Sequence, residues 1–404
     1  MRPTPLCRKL TGLDNLFASA FTIDEKSIVF QVRPRKPKKR CGCCGAFAPG
    51  YDRLPERTWR CESYADTAVL LRYAPWRVNC PQCGVHVEQV PWARHGSRFT
   101  RDFEEKVAYL AQMTNQTAIT QLTGISWRTV GRIIDTVVSE RLDPNRLKGL
   151  RAIGVDEFSY RKRHHYITLV VDHDRGRVIW AGEGRSSEVL ARFFALLDPV
   201  TRADIRYVTM DMAASFIKAV REHLPKAQIV FDRFHVQRLV SDALDAVRKA
   251  ETRALDGEEG KALKKGRFAL LKNPWNLTRK EKQKLADIQK NNARLYRAYL
   301  LKEAFAKALD YRQPKRAREA LDEWLAWASR SKLPAFVQVA RTIRKYKEGI
   351  LAYIRDRLSN GFVEGINNKL RVVARRAYGF HSADALISML FLNCGGVTPQ
   401  PRLP

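Results

Sequence analysis

Between positions 150 and 235 the chain alternates strand and helix signals in an order that few folds accommodate. RAIGVDEFSYR, HHYITLVVDHD and RVIWAGEG each read as a strand, with tight turns between them. Residues 187–197 then form a helix that places Leu190, Phe193, Phe194 and Leu197 on one face. IRYVTMD gives a fourth strand, AASFIKAVREHL a second helix and AQIVFDRFH a fifth strand. Connections in α/β folds are short and sequential elements are usually neighbours, so this order leaves few topologies open.

The element order is that of an RNase H-like fold, a mixed sheet flanked by helices. Residues 240–355 are almost wholly helical in pattern and strongly basic, as expected of an all-helical insertion. SNGFVEGINNKLR, at 359–371, opens a last helix. In such a sheet the first and fourth strands are neighbours, so Asp156 in IGVDEFS and Asp211 in YVTMDMA are expected to converge. Glu364, at the start of the late helix, can reach the same point. Phosphodiester chemistry needs an activated oxygen nucleophile and a stabilised leaving oxygen. Two divalent ions about 3.5–4 Å apart supply both, and carboxylate oxygens suit Mg²⁺ or Mn²⁺. A strand-end Asp can also serve only as a helix cap or turn residue. Asp232 and His235, just after the fifth strand, are expected to support the site rather than hold metal. Glu157, Asp172 and Glu183 are rival carboxylates. Glu157 alternates to the opposite face of its strand, and Asp172 starts the DHDRG turn.

A formal net charge of +31, from 73 Lys+Arg against 42 Asp+Glu, points to a polyanionic partner. Six of the eight residues at 33–40 are basic, and two prolines there exclude a helix. Arg35, Lys36, Lys38, Lys39 and Arg40 are therefore candidate phosphate contacts on a basic arm. No run approaches the roughly 18 apolar residues of a membrane helix, and the N-terminus lacks the apolar core of a signal peptide. The expectation is a cytoplasmic protein, nucleoid-associated when on DNA, with no membrane partner.

Six of eight cysteines fall between positions 41 and 83. CGCCG and CPQCG each contain Cys-x-x-Cys followed by Gly, the spacing with which two thiolates grip one side of a tetrahedral Zn²⁺. Cys41, Cys44, Cys80 and Cys83 form the expected structural zinc site, with Cys43, Cys61 and His86 as alternative ligands. Residues 100–141 then read as three helices. They carry caps at Thr100 and Ser126 and a glycine turn at Gly124. This is the helix-turn-helix pattern, which would present Trp127, Arg128 and Arg132 to the DNA major groove.

The expected fold class is multidomain α/β: an RNase H-like mixed sheet with a helical insertion, preceded by a zinc-binding region and a helix-turn-helix. The divisions are a zinc-binding region with the basic arm (1–98), the helix-turn-helix (99–148) and the first part of a catalytic domain (149–239). The basic insertion (240–355) and the last part of the catalytic domain, with the glutamate helix (356–404), complete the chain.

GVDEFSYRKRHHYITLVVD, VTMDMAASFIKAV, IVFDRFHVQRLV and LSNGFVEGINNKLRVVARRAYGF together resemble the bacterial ISL-three insertion-sequence transposases, of the DDE class. The similarity spans nearly the whole chain. It implies metal-dependent cleavage at the element's ends and attack of a 3′-hydroxyl on target DNA. The family's acidic triad falls on Asp156, Asp211 and Glu364, and its Asp-x-x-His element on Asp232 and His235. The implied ligands are double-stranded DNA of the terminal inverted repeats and of the target, bound by at least a homodimer. CGCCG departs from the family's knuckle, which usually carries Pro after the first Cys. The alternatives are an RNase H-like nuclease that cuts without joining, and a domesticated transposase that only binds DNA as a regulator.

Overall fold

The computed structural model describes residues 2–36, 38–161, 165–255, 257–356, 358, 361–377 and 379–402, without the side chains at 257–259 and 362. The chain divides into two units, one of residues 1–143 and 372–404, the other of residues 144–371.

The first unit opens with α1 (Pro3–Thr11) and the hairpin β1 (Leu16–Ile23) and β2 (Ser27–Pro34). β3 (Gly50–Arg53), β4 (Arg57–Arg60), β5 (Ala68–Tyr73), β6 (Trp76–Cys80) and β7 (Gly84–Val87) follow. They build a four-stranded sheet in the order β1-β2-β5-β4 and a three-stranded sheet in the order β3-β6-β7. The first sheet buries Phe30, Trp59, Val69, Leu71 and Trp92. The nine-residue α1 is hard to read from the sequence. Its apolar side buries little besides Cys7, so the periodic signal is faint. Pro near its start and Gly12 at φ +63° are what bound it.

Three helices complete the first turn of chain through this unit: α2 (Arg101–Met113), α3 (Gln116–Thr123) and α4 (Trp127–Arg141). Their boundaries follow local chemistry. The side chains of Thr100, Asn115 and Ser126 accept from the backbone N–H of Phe103, Ala118 and Thr129, and Gly124 takes φ +65° between α3 and α4. Arg94 lies buried among Glu104, Glu105 and Glu140, and Arg101 and Arg141 close the network. The backbone N–H of Gln400 also donates to Glu105, at 2.9 Å.

The second unit carries β8 (Ala152–Arg161), β9 (His165–Asp172), β10 (Arg177–Glu183), α5 (Ser187–Ala195) and α6 (Pro199–Asp204). Then come β11 (Tyr207–Met210), α7 (Ala214–His223) and β12 (Gln228–Phe231). The sheet order is β10-β9-β8-β11-β12. β8, β9 and β10 are antiparallel, while β11 runs parallel to both β8 and β12. The link between β8 and β9, at 162–164, lies outside the described residues. Asp172 ends β9 and accepts from the N–H groups of Asp174 and Arg175, as the turn reading required.

Helices then occupy the chain to residue 356: α8 (Arg233–Ala254), α9 (Gly257–Lys265), α10 (Arg267–Leu271), α11 (Arg279–Asn291), α12 (Ala293–Asp310), α13 (Pro314–Arg330) and α14 (Pro334–Asp356). They share one apolar core with the sheet, through Phe231, Val236, Leu301, Phe305, Trp324 and Phe336. Gly349 lets α14 lie against β12: a Cβ there would stand 2.5 Å from the Phe231 ring and 3.1 Å from the Ile229 carbonyl oxygen. The chain ends with α15 (Gly361–Arg376), which leads from the second unit back into the first, and α16 (Ala383–Cys394). Among the described residues, no helix is long and apolar enough to cross a membrane.

Candidate active site and metal centre

β8 and β11 pair in parallel with Thr209 opposite Gly154. Two residues further along each strand direction stand Asp211 and Asp156. Because strand side chains repeat every two residues, both carboxylates leave the sheet on one face from adjacent strands. β11 and β12 pair with Met210 opposite Phe231, and the Asp232 N–H donates to the Met210 carbonyl at 3.1 Å. Asp232 therefore stands level with Asp211, and a row of three acids crosses β8, β11 and β12. Asp211 accepts from the Ala213 N–H at 3.0 Å, and Asp232 caps α8 by accepting from Phe234. His235 sits in the first turn of α8, with Nε2 3.8 Å from Asp232 Oδ2.

The glutamate helix reaches this row from far along the chain. Val363 is fully buried, and a Cβ on Gly154 would come 2.7 Å from its Cγ2. One turn after Glu364, Asn367 donates through Nδ2 to Asp156 Oδ2 at 2.6 Å. Glu364 is exposed, and its charge acts on Asp232.

These acids feel one another. Burial pushes the Asp156 carboxyl above its ordinary value, and Asp211 adds to the rise; the Glu157 N–H, His235 and Asn367 pull the other way. Asp232 is raised by burial and by the charges of Glu364 and Asp211, against the Phe234 N–H and His235. Glu157, which strand alternation turns to the opposite face, nevertheless shares this field. Burial, Asp211 and Asp156 raise it, while Arg185, 3.8 Å away, opposes them. Among the described residues these carboxylates are not drawn together within 4.8 Å, as the four cysteines are. The donors are all carboxylate oxygens, which fit a hard divalent ion such as Mg²⁺ or Mn²⁺.

The cysteines are a different case. The sulfurs of Cys41, Cys44, Cys80 and Cys83 lie within 4.8 Å of one another, and Cys44 Sγ is 3.6 Å from Cys80 Sγ. Gly45 and Gly84, which follow the two knuckles, take φ +74° and +78°, so each turn needs a residue without Cβ. The N–H groups of Gln82 and Cys83 lower the Cys80 thiol to about 7 and the Cys44 N–H lowers Cys41, while neighbouring cysteines and burial raise Cys83 and, against the Ala46 N–H, Cys44; two of the four thus already favour the thiolate a metal requires. Soft sulfur donors in this number fit Zn²⁺. Cys61 lies in the core of the first sheet, and Cys43 and His86 stand outside the four-sulfur group.

The basic arm is partly tied down. Lys39 lies over the Trp76 ring at 4.5 Å and Arg40 over Phe47 at 4.0 Å, while Arg40 also donates to the Gly45 carbonyl. Lys38 stands over Phe47 as well, at 5.6 Å. Arg35 and Lys36 are exposed. At the start of α4, Trp127, Arg128 and Arg132 are all exposed, and they border a groove shared with His381 and Ser382 before α16.

Residues 153–390 match the model of the ISL3-type DDE domain, described as a transposase. Residues 88–138 match the helix-turn-helix domain of transposase family ISL3. A transposase for insertion sequence element IS1557 from Mycobacterium tuberculosis is 38% identical over 439 aligned positions, covering 100% of this chain and 98% of that protein. A transposase for insertion sequence element IS1001 from Bordetella parapertussis is 29% identical over 363 positions, covering 89% of each. A DNA-binding helix-turn-helix joined to a DDE domain defines an insertion-sequence transposase, an enzyme class that cleaves and joins DNA. More particularly, the chain belongs to transposase family ISL3.

Proposed function

We propose that the chain binds the terminal inverted repeats of its insertion sequence, cleaves DNA there and joins the 3′-hydroxyl ends to target DNA. Asp156, Asp211 and Glu364 act as the catalytic carboxylates and hold two Mg²⁺ (or Mn²⁺) ions. The observation that carries this reading is the parallel register of Thr209 with Gly154, which sets Asp211 level with Asp156 on one face. The sheet order β10-β9-β8-β11-β12, with its three antiparallel and two parallel strands, supports an RNase H-like arrangement.

When bound, divalent ions activate the attacking oxygen and offset charge on the leaving oxygen. The chain's own part is placement. Two strands and one helix carry the three carboxylates, which come from distant sequence positions. Asp232 and His235 serve as supporting residues that fix the start of α8 beside them. The four-cysteine site holds a structural Zn²⁺ that shapes the first unit. Trp127, Arg128 and Arg132 read the repeat in the major groove, and Arg35, Lys36, Lys38, Lys39 and Arg40 add phosphate contacts. The functional division follows the five sequence segments, with residues 240–355 as a basic insertion that tracks DNA. Two element ends must be brought together, so the active form is at least a homodimer on DNA.

The test is joining. Full-length protein, Mg²⁺, element-end DNA and a target plasmid are incubated and the products resolved. Strand-transfer products support the reading. Cleaved ends without joining would assign a nuclease, and binding without cleavage a regulator.

A further inference from the structure

Glu364 and Asp156 are 208 positions apart, and one side chain between them carries the connection. Asn367 is three residues after Glu364, on the neighbouring helical position of the same face. It is only 6% exposed. Its Nδ2 donates to Asp156 Oδ2 at 2.6 Å, while Asp156 Oδ1 accepts the Glu157 N–H at 2.7 Å. Both oxygens of the carboxylate are thereby oriented. A terminal carboxylate torsion is otherwise broad, so an unheld Asp156 would sample many planes.

The second atom of the amide sharpens the point. Asn367 Oδ1 is buried and finds no donor among the described residues. Leaving a buried acceptor unpaired costs its desolvation, whereas an apolar side chain of the same shape would not. Asn367 is flanked on the buried side of α15 by Val363, Ile366 and Leu370, so that side of the helix is otherwise apolar. An amide kept against that cost is explained by what its nitrogen holds. Since an ionised carboxylate only accepts hydrogen bonds, the nitrogen must be the atom that faces Asp156.

We infer that Asn367 is a positioning residue of the transposition reaction: it fixes the plane of the Asp156 carboxylate and keys the glutamate helix to β8. Asp156 and Glu364 thus reach ion-holding geometry together. The inference rests on the catalytic reading of the carboxylates given above.

The test uses full-length protein and Mn²⁺ alone, with free Mn²⁺ read from its paramagnetic resonance signal. Asn367→Leu and Asn367→Ala remove the amide, and Asn367→Gln keeps it on a longer stem. The amide-free variants are expected to raise the half-saturating Mn²⁺ concentration by about 10- to 100-fold, as loss of a group that orients a metal ligand does. Asn367→Gln is expected to fall between them and the parent. Affinity for element-end DNA without divalent ions should not change. Half-saturation within twofold of the parent in either folded amide-free variant would overturn the inference. So would equal weakness in all three variants, which would mean packing alone. Asp156→Ala separates the two readings. Lost Mn²⁺ binding in Asp156→Ala with none lost in Asn367→Leu sinks only the role of Asn367. Unchanged binding in Asp156→Ala sinks both.

Discussion

Val363, the residue before Glu364, packs directly over Gly154, two residues before Asp156: a Cβ at Gly154 would lie 2.7 Å from Val363 Cγ2. The same Cβ would stand 3.1 Å from His173 Nε2 and 3.2 Å from Thr209 Oγ1, two groups already hydrogen-bonded to each other. The depth at which the glutamate helix sits on the sheet is therefore set by a missing methyl group.

Gly154→Ala should lift α15 and reduce DNA cleavage by about 10- to 100-fold, in keeping with small misplacements of reacting groups. Overpacking of this kind costs about 1–3 kcal/mol, so the protein should still fold. Val363→Ala added to Gly154→Ala should recover much of the activity by clearing the space. Cleavage rates for the two variants check this; no recovery in the double variant would mean that another contact sets the helix depth.

Arg128 is exposed at the second position of α4. Arg128→Ala should weaken binding to element ends by about 1–3 kcal/mol and relax preference at one base pair, if it reads a base. Equal weakening on all sequences would instead make it a phosphate contact. Competition binding with end and scrambled duplexes at fixed salt separates the two.

Cys80→Ser should release one zinc per chain and weaken specific end binding, while leaving the α/β unit folded. Elemental metal analysis and binding assays measure both effects. Retained zinc, or parental affinity in the metal-free variant, would contradict the assigned role.

The Arg94 network predicts acid sensitivity in the first unit. Burial alone would raise Glu105, but the Gln400 N–H, Arg141 and Arg94 outweigh it and hold its carboxyl below the usual 4.5. Glu140 likewise stays low, through Arg94 and Arg101 acting against burial. A carboxylate lowered by folding stabilises the fold fully above its unfolded value and loses that contribution as pH falls through its folded value. Melting temperature should therefore drop steeply below about pH 4.5. Glu105→Gln should be less stable at pH 7 and should flatten the decline, as a melting series across pH would record. Breaking a buried pair of this kind costs about 3–5 kcal/mol.

What could be read from the sequence was local. Thr100 and Ser126 cap helices with their own side chains, and Gly124 needs only its own φ, so the helix-turn-helix was legible at near-residue precision. The two Cys-x-x-Cys-Gly knuckles announced themselves by spacing. That β8 and β11, the strands of Asp156 and Asp211, are neighbours was legible from the order of strands. What escaped depends on approach between distant segments. Nothing in NGFVEGINNK distinguishes Asn367 from Asn368 until the helix is laid on β8 and only Asn367 meets Asp156. Gly154 reads as an ordinary strand residue until Val363 arrives above it. The engagement of Lys39 and Arg40 with Trp76 and Phe47 was hidden for the same reason. Glu157 alternates away from Asp156 by strand geometry, yet a long side chain brings its charge back into range.

The most direct measurement is end cleavage and strand transfer by Asp211→Asn, an isosteric change that removes one charge from the row. A loss of about 10³-fold or more is expected in both steps, equivalent to about 4 kcal/mol of transition-state stabilisation, with element-end affinity unchanged. Cleavage within tenfold of the parent in a folded, DNA-binding Asp211→Asn protein would contradict this expectation.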